Sequence, residues 1–491
     1  MEPLDADVII SGAGPSGLML AGELRLQGIS VIVLDKLTEP MLQSRALGFS
    51  ARTIEEFGQR GLLQEFGELE TIPFGHFGGL PIDYRIVEGG NFGVRGVPQS
   101  RTEAIIHKWA VGLGAELRRG HELTGLTQDE DGVTVEVAGP QGPLTLRAKY
   151  LVGCDGARST VRKQAGIDFP GASATIEMKM ADVAGVQLKL RPTGEVGEAG
   201  MVVVLPLGPQ ATRVVVYERG AGVRATQEPP TFTEVAEAFQ RVTGEDISGA
   251  KPLWTSYFTD ASRHAESYRS GRVFLAGDAA HIHLPIGAQG ISAAVGDVVN
   301  LGWKLAAELK GHAPEGLLDT YHSERHLVGS RIVWNTLVQR TLYLGGPEAD
   351  PLRGLFAELV ELEDVRTHLV GMVTGLDIDY GSAEGDDPLI GRRLPDAALT
   401  VDGTATSRYE LLHAGRPLLL DLTGGAELKA AAEPWADRVD VVAASAAEER
   451  AARTLLVRPD GYVAWAAAED GSTAGLAEAL TKWFGEPRRA G

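Results

Sequence analysis

Asp7-Val8-Ile9-Ile10-Ser11-Gly12-Ala13-Gly14-Pro15-Ser16-Gly17 decides how the chain begins, because a short β-rich run breaks there into six residues of which three are glycine. Leu18, Met19, Ala21, Leu24 and Leu26 follow at helical spacing, so the segment reads as strand, tight turn and helix. Each glycine has its own task. Gly12 permits the turn, Gly14 lets the backbone approach a pyrophosphate, and Gly17 lets helix and strand pack closely. The helix start, with Ala13, Pro15 and Ser16 around it, turns free N–H groups toward an anion. Gly28 stops the helix. A second β-rich run from Ser30 to Leu34 ends in Asp35 and Lys36, which places a carboxylate where ribose hydroxyls should lie. A glycine-rich turn packing for its own sake is the competing reading, and the strand, helix and acidic strand end in register favour a dinucleotide. This motif does not separate FAD from NAD.

What separates them lies 240 residues downstream. Arg272 to His281 is another apolar strand, and it ends in Gly277-Asp278. A carboxylate there can accept hydrogen bonds from a polyol, and FAD contains ribitol where NAD does not. Pro285 and Gly287-Ala288-Gln289-Gly290 follow, then a long helix with Ile291, Ala294, Val295, Val298 and Leu305. Its first N–H groups, at Ile291 and Ser292, could face the pyrimidine edge of a flavin, where charge accumulates on reduction. A third strand, turn and helix runs from Tyr150 to Arg162 through Asp155-Gly156.

The chain has 491 residues, 44% of them hydrophobic and 23% charged, which is ample for two or three folded domains. Forty-six Lys and Arg against 66 Asp and Glu give a net charge of -20, which disfavours nucleic acid and anionic membranes as partners. Cys154 is the only cysteine, so an intrachain disulfide, a CxxC pair and a cysteine-rich zinc site are excluded and a reducing cytoplasm is the expected compartment. The acidic start and the lack of an apolar run near 18 residues predict neither export nor insertion.

Taken together, GAGPSG, GCDGARSTVR and RVFLAGDAAHIHLPIGAQG resemble the three signatures of the class A flavoprotein monooxygenases, which share the para-hydroxybenzoate hydroxylase fold. Gln43 to Phe49, His76-Phe77-Gly78-Gly79-Leu80-Pro81, Val97 to Arg101 and Tyr321 to His326 bring the chain nearest to the aromatic polyketide hydroxylases, particularly those acting on angucyclines. The resemblance implies an α/β architecture: a Rossmann-like FAD domain (1–70, 99–178 and 255–340), a β-sheet substrate domain (71–98 and 179–254), a helical connection (341–394) and a thioredoxin-like tail (395–491). That tail has no cysteine, so packing or homodimer support is its expected role. Carried over by position, Gly12, Gly14 and Gly17 serve the pyrophosphate, Asp35 the adenosine ribose, and Arg45 and Gln99 line the FAD. Asp155 serves FAD and transient NADPH, Asp278 the ribitol, and Pro285 with Gly287 to Ser292, including Gln289 and Gly290, the isoalloxazine. Two positions depart from the family pattern, Ala288 for a glycine and Ser292 for an asparagine.

The implied activity is NAD(P)H-dependent, with NADPH or NADH as transient reductant and O₂ as co-substrate. Oxygen would be inserted into a polycyclic phenol by way of a flavin C4a-hydroperoxide. Because the cofactor carries the chemistry, no catalytic triad is needed, only a dry cavity and an oriented ring. Baeyer-Villiger insertion, a non-catalytic flavin-containing binding protein and, more weakly, an NAD-dependent dehydrogenase are the alternatives. His76, Phe77, Arg213 and Tyr217 are candidate substrate-lining residues from their place in the roof segments. Other features have bland readings. His281 and His283 at i, i+2 lack further ligands at metal spacing. His322 and His326 suit a helix surface or cap. Arg158, Arg162 and Lys163 form a basic cluster that either meets NADPH phosphate or is simply solvated.

Overall fold

Val- and Ile-rich runs bounded by glycine build the first layer, and the computed structural model describes residues 3–68, 71–89, 93–381, 387–424, 426–446, 453–467 and 472–488. The chain runs through β1 (Ala6–Ser11), α1 (Pro15–Leu26), β2 (Val31–Asp35), α2 (Ala51–Gly58), a hairpin of β3 (Phe74–Phe77) and β4 (Leu80–Asp83), α3 (Gln99–Gly112), β5 (Glu116–Arg119), β6 (Gly142–Gly153) and α4 (Thr160–Gln164). Its middle supplies β7 (Glu177–Ala184), β8 (Arg191–Gly197), β9 (Gly200–Pro206), β10 (Ala211–Glu218), α5 (Phe232–Thr243) and β11 (Lys251–Thr259). Then come β12 (Val273–Leu275), α6 (Gln289–Leu309), α7 (Asp319–Leu344), α8 (Asp350–Leu359) and α9 (Glu363–Thr374). The tail holds β13 (Leu418–Asp421), α10 (Ala426–Ala432), β14 (Asp440–Ala443), β15 (Thr454–Val457), β16 (Val463–Ala467) and α11 (Leu476–Phe484).

Strands β12, β6, β1, β2 and β5 lie side by side in that order and run parallel. Parallel strands are covered on both faces, which is why β1 and β2 are nearly continuous apolar runs with almost every residue buried. Helices α1 and α6 pack against each other beside this sheet.

The second sheet is antiparallel, in the order β8, β9, β10, β7, β11. Alternation splits its side chains between two faces. Ala181, Val183, Val202, Val204, Val214 and Val216 meet Val235 and Phe239 of α5, while Met178, Met180, Met201, Val215 and Tyr217 meet Leu284 and Ile286 of the loop before α6 and Tyr343 of α7. The sequence pattern, read as alternating apolar and polar residues over 180–183, 200–205 and 212–217, marks β7, β9 and β10. It hides β8, an edge strand that carries Pro192 and Gly194 and shifts register between Arg191 and Glu195. It hides β11 as well, where Pro252 lies at an irregularity opposite Val183.

The tail read as thioredoxin-like forms a sheet in the order β14, β13, β15, β16, with β13 and β14 parallel and the other pairs antiparallel. Its Arg458–Asp460 turn enters the first domain. Arg458 binds both Glu324 oxygens at 2.6 and 2.8 Å, Arg60 donates to the Pro459 carbonyl and Arg52 to that of Asp460. Residues 382–386 of the Gly- and Asp-rich stretch 381–387 and residues 447–452 of the alanine-rich stretch 443–452 lie outside the described residues.

Candidate active site

Register, rather than nearness in sequence, brings the three signatures together. Ser11 pairs with Gly153, and Gly153 with Leu275, so Gly12, Cys154-Asp155 and Gly277-Asp278 leave the sheet as neighbours at its carboxyl edge. That edge is where open α/β sheets bind ligands. The glycines there divide into two kinds. A Cβ on Gly12 (φ 104°) would lie 2.3 Å from the Cys154 carbonyl oxygen, and one on Gly17 1.9 Å from that of Gly12. One on Gly277 (φ 62°) would lie 2.5 Å from Ser16 Oγ, so these three are fixed by packing. Gly14 is different: a Cβ there would meet nothing within 4 Å. The space it leaves fronts the start of α1, which no side chain caps. A pyrophosphate fits such a place.

Asp35 holds the turn itself, accepting the Ala13 N–H at 3.0 Å and the Leu37 N–H at 2.8 Å, with Arg119 at 3.5 Å. Lys36 is exposed beside it. Gln99 opens α3, donates its backbone N–H to Ala46 and turns its amide onto Glu103 at 2.7 Å. Asp155 caps α4 through Oδ2, which accepts from Thr160 and Val161 at 2.7 and 3.1 Å. Its buried Oδ1 has no partner among the described residues, so one acceptor is left over for a ligand. Asp278 is exposed, yet protein surrounds it closely enough that lost hydration raises its carboxyl, against the pull of His281 and Arg45. A carboxylate with open space before it inside the protein suits a polyol. Arg45 is itself exposed, and its carbonyl accepts from Arg213 at 2.8 Å.

The loop before α6 is bent by two left-handed residues, Gly287 (φ 74°) and Ala288 (φ 57°, ψ 27°). Only glycine adopts that region without penalty, so the alanine is strained. Ser292 points back from the loop: its Oγ accepts from the Ser50 N–H and Oγ at 3.1 and 2.8 Å and donates to the Ala288 carbonyl at 3.2 Å. Pro285 is exposed, while Gln289 and Ile291 are buried. His283 Nδ1 donates to the Leu284 carbonyl at 2.9 Å, and burial lowers this imidazole to about 4.

None of the four candidate lining residues points to solvent, but they do not share one cavity. Phe77 is packed among Leu342, Leu369 and Phe356 on the helical side, so it cannot line a substrate space. Arg213, 2% exposed, is spent on both oxygens of Asp182 at 2.7 and 2.8 Å and on Arg45, so it fastens the Arg45 segment to the sheet. His76 stacks on Tyr343 at 5.3 Å and accepts the Gly79 N–H. Tyr217 lies on the sheet face turned to Leu284 and Ile286. Val203, Leu205, Trp254 and Phe258 alternate onto that same face and are only partly buried, which makes them better lining candidates.

Sequence reading missed Asp297. Fully buried in α6, it accepts from the Gly277 N–H at 3.0 Å, His281 at 2.8 Å and Arg325 at 2.8 Å. Burial opposes its charge, but His281 and Arg325 bring the carboxyl below its usual value. Its signal was available, an acid inside the apolar run Ala293 to Trp303. His281 is thereby committed to structure, and Arg162 leaves the basic cluster, donating to Ala279 and Ala157 and lying over Phe169. Among the described residues no group of three or more His, Cys, Asp or Glu could hold a metal ion. No described helix is long and apolar enough to cross a membrane. A cleft of about 120 Å³ lies behind the loop, between Ser50, Ser292, Asn335 and Thr374, and it is too small for a fused polycycle.

A parallel sheet with uncapped helix starts at its carboxyl edge is the layout of a dinucleotide-binding α/β protein. Residues 5–336 match the FAD binding domain family and residues 387–487 the aromatic-ring hydroxylase C-terminal family, and the chain belongs to these FAD-dependent aromatic-ring hydroxylases. It is 42% identical over 500 residues to a 12-dehydrotetracycline 5-monooxygenase/anhydrotetracycline 6-monooxygenase of Streptomyces rimosus subsp. rimosus, covering 98% of this chain and 99% of that one. A rifampicin monooxygenase of Streptomyces venezuelae is 45% identical over 491 residues, covering 98% of each. The crystal structure of CabE, an aromatic hydroxylase from angucycline biosynthesis, superposes with a TM-score of 0.94 at 53% identity, covering 99% of this chain and all of that one.

Proposed function

We propose that the protein hydroxylates a polycyclic, angucycline-like aromatic polyketide in antibiotic tailoring, using FAD, O₂ and NADPH or NADH. The observation that carries this reading is the layering of the site. A cradle with the Asp155 Oδ1 unpartnered among the described residues and with the exposed Asp278 lies below, the loop from Pro285 to Ser292 in the middle, and a partly open apolar sheet face above. FAD would lie with its pyrophosphate at Gly12 to Gly17, its adenosine ribose at Asp35 and its ribitol at Asp278. Arg45 and Gln99 would flank it, and Gly287 to Ser292 would run along its ring. Bound there, it supplies the activation of O₂ that no side chain can. The chain's own part is to bind, to orient the substrate under Val203, Leu205, Tyr217 and Trp254, and to exclude water. The relatives are named for tetracycline-type compounds, for rifampicin and for angucycline biosynthesis, so the substrate is proposed as a class rather than as one compound.

The test is spectroscopic first. Protein loaded with FAD should bleach near about 450 nm under anaerobic NADPH or NADH and recover with oxygen. A polycyclic phenol that speeds bleaching should then gain one atom from ¹⁸O₂. A product that opens on mild hydrolysis as a lactone would replace hydroxylation by Baeyer-Villiger insertion. Yellow protein that never bleaches with either nucleotide, with or without substrate, would favour the non-catalytic reading, to which the strained Ala288 lends some support.

A further inference from the structure

Four hydrogen bonds run head to tail through the protein from the β3–β4 hairpin to the loop before α6. The Gly78 N–H donates to Gln339 Oε1 at 3.2 Å, Gln339 Nε2 to Asn335 Oδ1 at 2.7 Å, Asn335 Nδ2 to Gln289 Oε1 at 2.7 Å, and Gln289 Nε2 to the Ile286 carbonyl at 3.1 Å. All three side chains are buried. The ends settle the direction, because a backbone N–H only donates and a carbonyl only accepts, so none of the amides can turn over alone. Asn335 and Gln339 stand one turn apart on the same face of α7.

Both ends of the string are unusual backbone. At the hairpin tip Gly78 and Gly79 have φ of 57° and 91°, and a Cβ on either would come within 2.7 Å of Leu342 or 2.9 Å of Tyr343. The tip is therefore seated on the last turns of α7. His76 stacks on Tyr343, whose hydroxyl donates to the Thr193 carbonyl of β8, so hairpin and roof sheet are fastened together. At the other end stands Ala288, left-handed and next to Gln289. If the tip lifts, Gln339 loses its donor while buried. Buried amides do not stay unpaired, so the string must reorganise. A helix holds the middle, which leaves the strained loop as the end that yields.

We propose that Asn335 and Gln339 are positioning residues that tie the conformation of the flavin loop to the seating of the β3–β4 hairpin under the roof sheet. The idea rests on residues 285 to 292 being the flavin loop and supplies a regulation of that same site: the loop is held one way while the hairpin tip is seated on α7 and released when the tip lifts.

Hydrogen exchange on the FAD-loaded protein tests this. Gly78→Ala puts a methyl against Leu342 and should unseat the tip. Exchange should then rise about fivefold or more in peptides covering 286–292 as well as in the hairpin itself. In a Gln339→Met background, which keeps the volume and cuts the string, Gly78→Ala should still loosen the hairpin but add less than about twofold at the loop. An unchanged loop in the single variant, or effects that multiply in the double one, would overturn the proposal. Gln339→Glu is the second route, should the hairpin variant not fold. A protonated carboxyl can accept from Gly78 and donate to Asn335, whereas an ionised one cannot donate. The flavin band near about 450 nm should therefore match the parent protein at low pH and depart reversibly as the introduced group ionises. A band that tracks the parent at every pH would count against the relay. Wild-type exchange at 284–292 that ignores removal of FAD would refute the flavin-loop assignment instead, and the double cycle would still decide whether hairpin and loop are tied.

Discussion

Two helix starts face the same space, and they are made of different materials. The start of α1 is glycine and proline, with Gly12 and Gly17 locked by backbone contacts and Gly14 leaving an opening. The start of α6 is Ala288 in a left-handed conformation, with Ser292 roped to Ser50, whose Oγ also lies 3.1 Å from the Thr374 carbonyl oxygen. Both offer N–H groups that no side chain caps. The first has room and no strain, as an anchor needs. The second stores strain, about 1 kcal/mol for one alanine in the left-handed region, as a part that must move can use.

Gly14→Val carries the largest expected effect. At a packing glycine such a change would unsettle the fold, but at Gly14 the added side chain enters open space, so FAD-free protein should melt within a degree or two of the parent. FAD retention should be almost abolished, because the side chain occupies the place read as the pyrophosphate site. Gly17→Ala should do the reverse and cost stability first, since its Cβ would lie 1.9 Å from a carbonyl oxygen. Thermal melts of stripped and loaded protein distinguish the two.

Asp278→Asn comes next in size. Losing a charge-assisted hydrogen bond worth about 1.5–3 kcal/mol should weaken FAD binding by roughly ten- to a hundredfold. The stripped protein should move the other way. Its Asp278 carboxyl, although exposed, is raised by the protein packed around it, so the folded state holds that proton more tightly than the unfolded chain. Stability therefore falls as pH rises from the ordinary carboxylate range through the raised value, and stays reduced above it. Asparagine removes this penalty, so the variant without FAD should melt higher than the parent at pH 7 and no higher near pH 3. A lower melting point at neutral pH would show that Asp278 is structural.

How far these two helix starts could be read from sequence follows from what each depends on. The anchor is local: strand, glycines and helix lie within about twenty residues, and period and spacing expose them. The departure at Ala288 was visible too, as a letter out of pattern, and its strain follows from one dihedral. Its surroundings were not legible. Ser292 finds Ser50 across 242 residues, and Gly78 finds Gln339 across 261. Arg213 was placed beneath the roof by its strand and does point to that face. Antiparallel register sets it opposite Asp182, however, and nothing in the alternation of β10 announces a partner on β7. Phe77 failed for the same reason, since its neighbours on α8 and α9 are remote in the chain. Asp297 alone was readable and passed over.

The two starts also differ in acid. Gly12 to Gly17 contains no titratable side chain, whereas the α6 loop follows His283, lowered to about 4. Folded protein thus binds fewer protons there than the unfolded chain. The stability this contributes is complete above about 6.5 and is lost as pH falls toward 4. His76 and His264 have the same shift, also to about 4, so they share the slope. His283→Gln should flatten the decline of melting temperature between pH 6.5 and 4 without abolishing it. An unchanged slope would mean that His283 is hydrated in the folded state.

The smallest effect expected is on coupling, and it bears most directly on whether strain at α6 is a working part. Ala288→Gly lets the backbone keep its left-handed turn without a Cβ, so the loop should gain up to about 1 kcal/mol, less the freedom that glycine adds to the unfolded chain. Ser292→Asn replaces a hydroxyl that now bridges Ser50 and the Ala288 carbonyl by an amide too long for that bridge. The amide fits by turning toward the helix start, which exchanges a tie to α2 for a donor beside the proposed flavin site. If the native loop grips the flavin loosely because Ser292 pulls it backward, the double variant should release less peroxide per NAD(P)H consumed, with its melting point equal to or above the parent's. Each single variant should show part of the change, and the pair should not add, because both act on one short loop. Equal peroxide yield and equal oxidation rate in all four proteins would make the two departures neutral, and the contrast between the helix starts would then be one of sequence without consequence for turnover.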